Sequence, residues 1–232
     1  MIRYQGISTL EILEEAKNYN NWIAEQFLPL IRTPLLEIGA GTGNISKHFV
    51  NKKNVTITDI DAGLVKQLKK KFSNSTVSDI RTLNVLGKIK KGDIGKYKTI
   101  IAINVLEHIQ DDAKALANMY RMLKKGGKLL LLIPAKKIAY TRLDNNLGHF
   151  RRYEKDELSK KLKASGFTLE TLYFFNIVGL FSWIVRDKIE SSHQMKPYQV
   201  ILFDKIVPVL KIIERYIKMP VGISLILTAT KK

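Results

Sequence analysis

The residues best placed to do chemistry lie in a glycine-rich segment in the first quarter of the chain. The sequence Glu37-Ile-Gly-Ala-Gly-Thr-Gly-Asn contains Gly39, Gly41 and Gly43, and it follows a short apolar run. Glycines allow a sharp backbone turn, and they let a ligand approach the main chain without meeting a Cβ atom. We therefore expect a ligand at this loop, in contact with the glycines and with Ala40.

The neighbouring acidic residues indicate the charge of that ligand. A dinucleotide-binding fingerprint would need its third glycine where the chain has Asn44. Glu37 stands two residues before the first glycine, where it would repel a pyrophosphate and attract an ammonium group. Asp59 lies twenty residues after Gly39, where its carboxylate can accept both hydroxyls of a ribose, and Asp61 is the nearby alternative.

The hydrophobic pattern predicts the scaffold that positions these residues. Apolar runs predict strands at 35–38, 55–58, 76–78, 99–103, 128–133, 167–174 and 223–230, and helical spacing predicts helices at 8–30, 44–50, 62–72, 111–123 and 154–165. Such alternation is typical of an α/β fold with a parallel sheet covered by helices on both faces. Ligands bind at the carboxyl ends of such strands, where Asp79 is expected to meet an adenine amino group.

Together these segments resemble the motifs of class I S-adenosylmethionine-dependent methyltransferases. The motifs are Leu36-Glu-Ile-Gly-Ala-Gly-Thr-Gly-Asn, Thr58-Asp-Ile-Asp, Ser78-Asp-Ile, Asn104-Val-Leu-Glu-His-Ile and Leu123-Lys-Lys-Gly-Gly. The resemblance covers roughly residues 10 to 230. It implies a Rossmann-like, seven-stranded, mostly parallel sheet whose last two strands form an antiparallel pair.

The resemblance also implies S-adenosylmethionine as the cofactor. The residues expected to bind it are Tyr19, Glu37, Gly39, Ala40, Gly41, Gly43, Asp59, Ile60, Asp61, Asp79, Ile80, Asn104 and Val105. The pattern predicts a single domain over residues 1–232, with residues 175–220 as a helical insertion before the final strand.

A second polar segment, Leu147-Gly-His-Phe-Arg-Arg-Tyr, is predicted to form a wall of the acceptor site. It follows the fifth strand and resembles a Gly-His-x-Arg-Arg-Tyr stretch found in methyltransferases of glycan, lipid-linked sugar and cell-envelope pathways. His149 is expected to be a general base. Arg151, Arg152 and Tyr153 are expected to bind substrate, with the guanidiniums gripping a phosphate or carboxylate. In the alternative reading, His149 caps a loop and the arginines pair with acidic residues at 154, 156 and 157.

A second imidazole, His108, is expected near the same edge because it follows the fourth strand. It can assist deprotonation of the acceptor, or it can hold the loop by a hydrogen bond. His48 and His193 have no spacing typical of metal ligation, and a two-histidine helical pair is absent. We therefore expect no metal.

Composition limits the remaining classes of function. The chain has no cysteine, which excludes disulfides, thiolate metal sites and thiol nucleophiles. No signal-like apolar run opens the chain, which indicates a cytoplasmic protein. The net charge of +18 is spread along the chain and is compatible with nucleic acid, an anionic membrane surface or ion-pair networks. Residues 198–218 have a basic side and an aliphatic side, which suits peripheral membrane contact or packing against the domain.

The leading hypothesis is methyl transfer to a small-molecule, sugar or lipid-linked acceptor. An oxygen acceptor is favoured because Asn104-Val-Leu-Glu stands where amino-methylating relatives carry an Asn/Asp-Pro-Pro-Tyr/Phe motif. The alternatives are an RNA methyltransferase, which the charge motivates, and a catalytically silent protein that binds the cofactor or a partner. An RNA enzyme is less favoured because the chain has no separate basic arm.

Overall fold

Seven strands form one sheet in the computed structural model, which describes residues 7–189, 196–217 and 219–232. The strands are β1 (Leu35–Ile38), β2 (Val55–Asp59), β3 (Asp79–Thr82), β4 (Tyr97–Ile103), β5 (Leu123–Pro134), β6 (Phe167–Phe175) and β7 (Ser224–Lys231). Their order across the sheet is β3-β2-β1-β4-β5-β7-β6. Strand β7 runs antiparallel to β5 and β6, and the other pairs are parallel. The predicted fold class is confirmed.

Helices cover both faces of this sheet. Within the described ranges the α-helices are α1 (Ile7–Glu14), α2 (Lys17–Phe27), α3 (Ala62–Lys71), α4 (Asp112–Met122), α5 (Arg142–Asn146), α6 (Lys155–Ala164), α7 (Ile177–Ile189) and α8 (Pro197–Tyr216). Successive side chains of a strand point to opposite faces. Leu129 and Leu131 of β5 therefore pack in a core with α4 and α6, while Leu130 and Leu132 pack in a second core with α2, α3 and α8.

Two predicted helices differ from the structure. The segment predicted as one helix over 8–30 is divided into α1 and α2, and the side chain of Asn20 donates to the carbonyl of Leu13 at the end of α1, at 2.9 Å. The helix predicted over 44–50 is a single 3₁₀ turn, Ser46–His48. The hydroxyl of Ser46 turns inward to donate to Glu37, which ties this turn to β1 instead of extending a helix.

The third strand begins later than predicted, which places Asp79 and Ile80 at the start of the strand instead of after its end. Asp79 is the first residue of β3 and lies opposite Thr56, three positions before the carboxyl end of β2. Ile80 lies opposite Ile57 with its side chain in the apolar core. Neither residue stands at the carboxyl edge of the sheet. The positional argument that led to Asp79 and Ile80 therefore does not hold, and their contact with the cofactor stays a prediction.

Helices α7 and α8 occupy much of the region predicted as an insertion. The carboxylate of Asp204 in α8 accepts from the backbone N–H groups of Asn18, at 3.1 Å, and Tyr19, at 2.8 Å, in the first turn of α2. Glu214 accepts similarly from Asn176 and Ile177 at the start of α7. These carboxylates satisfy helix N–H groups that have no intrahelical partner. In the described parts of the chain, no helix is both long and apolar enough to cross a bilayer.

Candidate functional site

The glycine loop after β1 has a backbone that only glycine adopts without strain. Gly39, Gly41 and Gly43 have φ angles of 71°, 57° and 83°. A Cβ atom on Gly39 would lie 2.4 Å from Cγ2 of Val105, and one on Gly43 would lie 2.8 Å from the ring of Phe72. Both the left-handed conformation and the close packing therefore require glycine.

Asp59, at the end of β2, holds this loop in place. One carboxylate oxygen accepts from the N–H of Gly41 at 2.8 Å, and the other accepts from the N–H of Asp61 at 2.9 Å. Burial raises the pKa of Asp59. Asp61 caps α3 by accepting from the N–H groups of Gly63 and Leu64. The loop and the predicted ribose-binding carboxylates are thus brought together at the carboxyl edge of the sheet.

Glu37 lies beneath the loop as a buried carboxyl group. Its Oε2 accepts from the hydroxyl of Ser46 at 2.5 Å. Burial raises the pKa of Glu37 to about 8, although the bond from Ser46 opposes the shift. A buried carboxyl group with this pKa is mostly neutral at pH 7, and it ionises when a cation is placed beside it.

The remaining predicted cofactor residues are divided between the loop and a nearby aromatic cluster. The N–H of Ala40 donates to the carbonyl of Thr58 at the end of β2, and Ile60 is exposed near it. Asn104, with a φ of 52°, directly follows β4, and its neighbour Val105 packs on Gly39. Tyr19 stacks on Phe175 in a cluster with Trp22 and Phe203, so its visible role is packing between α2 and α8.

Leu83 and Asn84 directly follow the carboxyl end of β3. The N–H of Leu83 donates to the carbonyl of Asp59 at 2.9 Å, which places it beside the predicted ribose site. The sequence pattern did not place them at a strand end, because the strand Asp-Ile-Arg-Thr contains a single aliphatic residue and gives no clear hydrophobic signal.

The predicted acceptor wall is joined to the loop after β4 by several hydrogen bonds. The N–H of Phe150 donates to the carbonyl of Glu107 at 2.8 Å, and the side chain of Arg151 donates to the carbonyl of Gln110 at 2.7 Å. Arg151 also pairs with Asp112 at 2.9 Å. The structure therefore brings the Gly-His-Phe-Arg-Arg-Tyr segment and the Asn-Val-Leu-Glu-His segment into one site.

Two of the predicted substrate-binding residues point into the protein. Arg152 is 2% exposed, donates to Asp144 at 2.9 Å, and lies 4.8 Å from the ring centre of Trp183. Tyr153 is fully buried, and its hydroxyl donates to Asp112 at 2.9 Å. The arginines do pair with acids, but the acids are Asp112 and Asp144 rather than those at 154, 156 and 157. These contacts make Arg152 and Tyr153 positioning residues, because neither presents a free polar group to a substrate.

His149 and His108 lie against each other at the centre of this segment. The Nδ1 atom of His149 is 2.7 Å from a carboxylate oxygen of Asp144, and the Nδ1 atom of His108 is 3.3 Å from the carbonyl of Gly148. Burial would raise the pKa of Asp144, but the hydrogen bond from His149 and the charge of Arg152 hold it below its usual range. Burial and the neighbouring His149 lower the pKa of His108 to about 4, which keeps this imidazole neutral.

Glu107 completes the group, and the sequence reasoning had not selected it. The residue is 0% exposed, and burial raises its pKa to about 7 although His149 opposes the shift. One potential ligand atom from each of Glu107, His108 and His149 lies within 4.8 Å of the others. Glu107 stands next to His108 in the sequence, but His149 and Asp144 are far along the chain, so only the fold reveals the group.

The sequence matches a known protein family over most of its length. Residues 4–172 match the model of a methyltransferase domain family. The lovastatin diketide synthase of Monascus pilosus is 34% identical over 111 residues, which are 44% of this chain and 4% of that protein. The chain therefore spans a small part of this relative.

Solved structures share the fold at low sequence identity. The Haloferax volcanii methyltransferase in complex with the activator Trm112 superposes with a TM-score of 0.65 at 11% identity, over 99% of each chain. The CMeT domain of the citrinin polyketide synthase superposes with a TM-score of 0.56 at 15% identity, over 87% of this chain and 48% of that one. The family match covers most of the sequence, and the chain therefore belongs to the class I methyltransferases, which use S-adenosylmethionine as the methyl donor.

Proposed function

We propose that this methyltransferase methylates an ionisable oxygen of a small-molecule, sugar or lipid-linked acceptor. The observation that carries the proposal is the hydrogen-bonded pair of His149 and the buried Asp144, beside Glu107 and His108 at the carboxyl edge of the sheet. A hydroxyl group must lose its proton during transfer, and a carboxylate-oriented imidazole is suited to accept a proton. An acceptor that needed no deprotonation would have no use for this group.

The glycine loop and its acidic neighbours are suited to hold the cofactor. We assign Glu37 to its ammonium group and Asp59 to its ribose, because both carboxyl groups flank the loop where a Cβ-free backbone allows close approach. Val105 and Ile60 supply apolar surface beside the loop. Leu83 and Asn84 take the adenine side that was first assigned to Asp79 and Ile80.

The transfer is a direct displacement, in which the cofactor supplies an electrophilic methyl group and its sulfonium becomes a thioether. The protein's contribution is to place the acceptor oxygen in line with the methyl group and to exclude competing water. We assign His149 and His108 as the catalytic residues that face the acceptor oxygen. Asp144 orients His149 by a hydrogen bond, and Arg152 holds Asp144 in place. Tyr153 donates to Asp112, the partner of Arg151 in the same segment.

The test measures transfer of label from S-adenosylmethionine to a panel of phenols, sugars and lipid-linked hydroxyl compounds. Once an acceptor is found, His149→Gln is expected to lower kcat by about 10²- to 10⁴-fold while cofactor affinity is unchanged. The matched control is His48→Gln, since His48 lies in a 3₁₀ turn outside the cluster. Full activity of the His149 variant on the true acceptor would overturn the proposal.

A carbon acceptor is the second candidate, because the relative with 34% identity is a polyketide synthase. A carbon acid also loses a proton to a base, so the same cluster serves both reactions. Transfer of a ¹³C-labelled methyl group distinguishes them, because the chemical shift of an O-methyl carbon differs greatly from that of a C-methyl carbon. If every active acceptor gives a C-methyl product, the protein is a carbon methyltransferase and the oxygen proposal is wrong.

The exposed face of α8 favours an acceptor at a membrane surface. Its exposed apolar side chains are Tyr198, Ile201, Leu202, Ile206, Val209, Ile212, Ile213 and Tyr216. An apolar face on a chain with a net charge of +18 suits anionic lipid. Sedimentation with anionic vesicles, but not with neutral ones, is expected, and Leu202→Glu should weaken it. Binding to RNA with a steep salt dependence, and no vesicle binding, would instead support the less favoured RNA acceptor.

A further inference from the structure

Glu107 is a buried carboxyl group whose bonding is incomplete. It is 0% exposed, and both carboxyl oxygens have no hydrogen-bond partner among the described residues. Buried polar groups in proteins are almost always hydrogen-bonded, because an unpaired one loses its contacts with water without replacement. An unpartnered carboxyl group close to two imidazoles therefore points to a missing partner.

The two histidines are oriented as metal ligands usually are. Nδ1 of His149 donates to Asp144, at 2.7 Å, and Nδ1 of His108 faces the carbonyl of Gly148, at 3.3 Å. A ligating histidine almost always gives its other ring N–H to a carboxylate or carbonyl, which fixes the tautomer. With Nδ1 protonated on both rings, the lone pair of each imidazole is on Nε2.

We propose that Glu107, His108 and His149 bind one divalent cation of the zinc and manganese type. Two imidazoles and one carboxylate form a ligand set of catalytic zinc sites, in which the remaining position stays open for water or substrate. The three ligand atoms lie within 4.8 Å of one another. Around a tetrahedral zinc ion they would stand about 3.4 Å apart, so small side-chain rotations close the site. The earlier expectation of no metal rested on sequence spacing, which cannot bring His149 beside Glu107.

This inference rests on the proposed function and changes one step of it. The acceptor oxygen would bind at the open coordination position of the cation, which would lower the pKa of the acceptor hydroxyl group. The proton leaves to solvent, the oxygen forms a bond to the methyl carbon, and the S–C bond breaks with its electron pair going to sulfur. Asp144 and Arg152 then act through His149, because they fix the imidazole that holds the cation.

The experiment uses the tag-free protein, stripped with a chelator and titrated calorimetrically with zinc or manganese chloride in the absence of acceptor. We expect one equivalent to bind, and cobalt to give the visible absorption of a low-symmetry site. Glu107→Gln and His149→Gln should each lose the stoichiometric binding. Asp144→Asn, which keeps all three ligands but alters the partner of His149, should weaken affinity about 10- to 100-fold. His48→Gln is the matched control and should bind as the unmodified chain does.

The outcomes separate this inference from the proposed function. Each variant is first checked for cofactor binding, which reports folding at the separate glycine loop. If Glu107→Gln fails that check, His149→Gln decides the result, because His149 is partly exposed. Absence of one-equivalent binding, or equal binding by all variants, overturns the metal site. A loss of methylation in His149→Gln without any metal binding would leave the proposed function intact.

Discussion

Cofactor binding is expected to expel a proton from Glu37. Burial raises the pKa of this carboxyl group to about 8 from an ordinary 4.5, so it is about 90% protonated at pH 7 in the cofactor-free protein. An ammonium group about 4 Å away contributes about 4 kcal/mol at an effective dielectric constant of 20. That energy corresponds to about 3 pKa units, which ionises the carboxyl group completely in the complex.

The number of protons released follows from these values. Glu37 should release about 0.9 proton per cofactor at pH 7 and about 0.5 at pH 8. Calorimetric titrations in buffers with different ionisation enthalpies measure this number directly. The same titrations with Glu37→Gln provide the control, because the proton balance of the cofactor's own amino group is common to both proteins and cancels in the difference.

The pH dependence of stability gives a second readout of the same group. The folded pKa of Glu37 is raised above its unfolded value, so its contribution to stability is fully present below pH 4.5 and is lost as the pH rises through about 8. Glu37→Gln should remove this dependence in the cofactor-free protein. Equal proton release by the two proteins, together with parallel stability profiles, would refute the assignment of Glu37 to the ammonium group.

Three further substitutions test the scaffold around the site. Gly39→Ala should abolish cofactor binding and lower the free energy of unfolding by about 1–3 kcal/mol, because Gly39 has a φ of 71° and a Cβ atom would lie 2.4 Å from Val105. Gly92→Ala is the calorimetric control, since a Cβ atom there meets open space. Arg152→Met should cost about 3–5 kcal/mol in urea unfolding, because it leaves Asp144 buried without its cation. Asp204→Ala should cost about 0.5–2 kcal/mol, measured in the same way, through the lost bonds to α2. An unchanged midpoint in any of the three would contradict the contact it tests.

The sequence alone was sufficient for the local features of the fold. The spacing of apolar residues predicted the order of strands and most helices, and the glycines with Glu37 and Asp59 predicted the loop after β1. These signals are readable because each depends on neighbours within a few residues: a side-chain period, a helix boundary or a backbone angle. The short third strand was misplaced because it has little apolar pattern, so Asp79 and Ile80 were expected at its carboxyl end although they begin it.

The acceptor side of the site was decided by the tertiary structure. The sequence identified His149, Arg151 and Arg152 as polar residues near the fifth strand. Only the fold shows that Arg152 is buried against Asp144, whereas Arg151 pairs with Asp112. Glu107 becomes notable only when the fold excludes water from it and brings His149 beside it. Desolvation and long-range contact depend on the whole packed chain, so no local pattern encodes them.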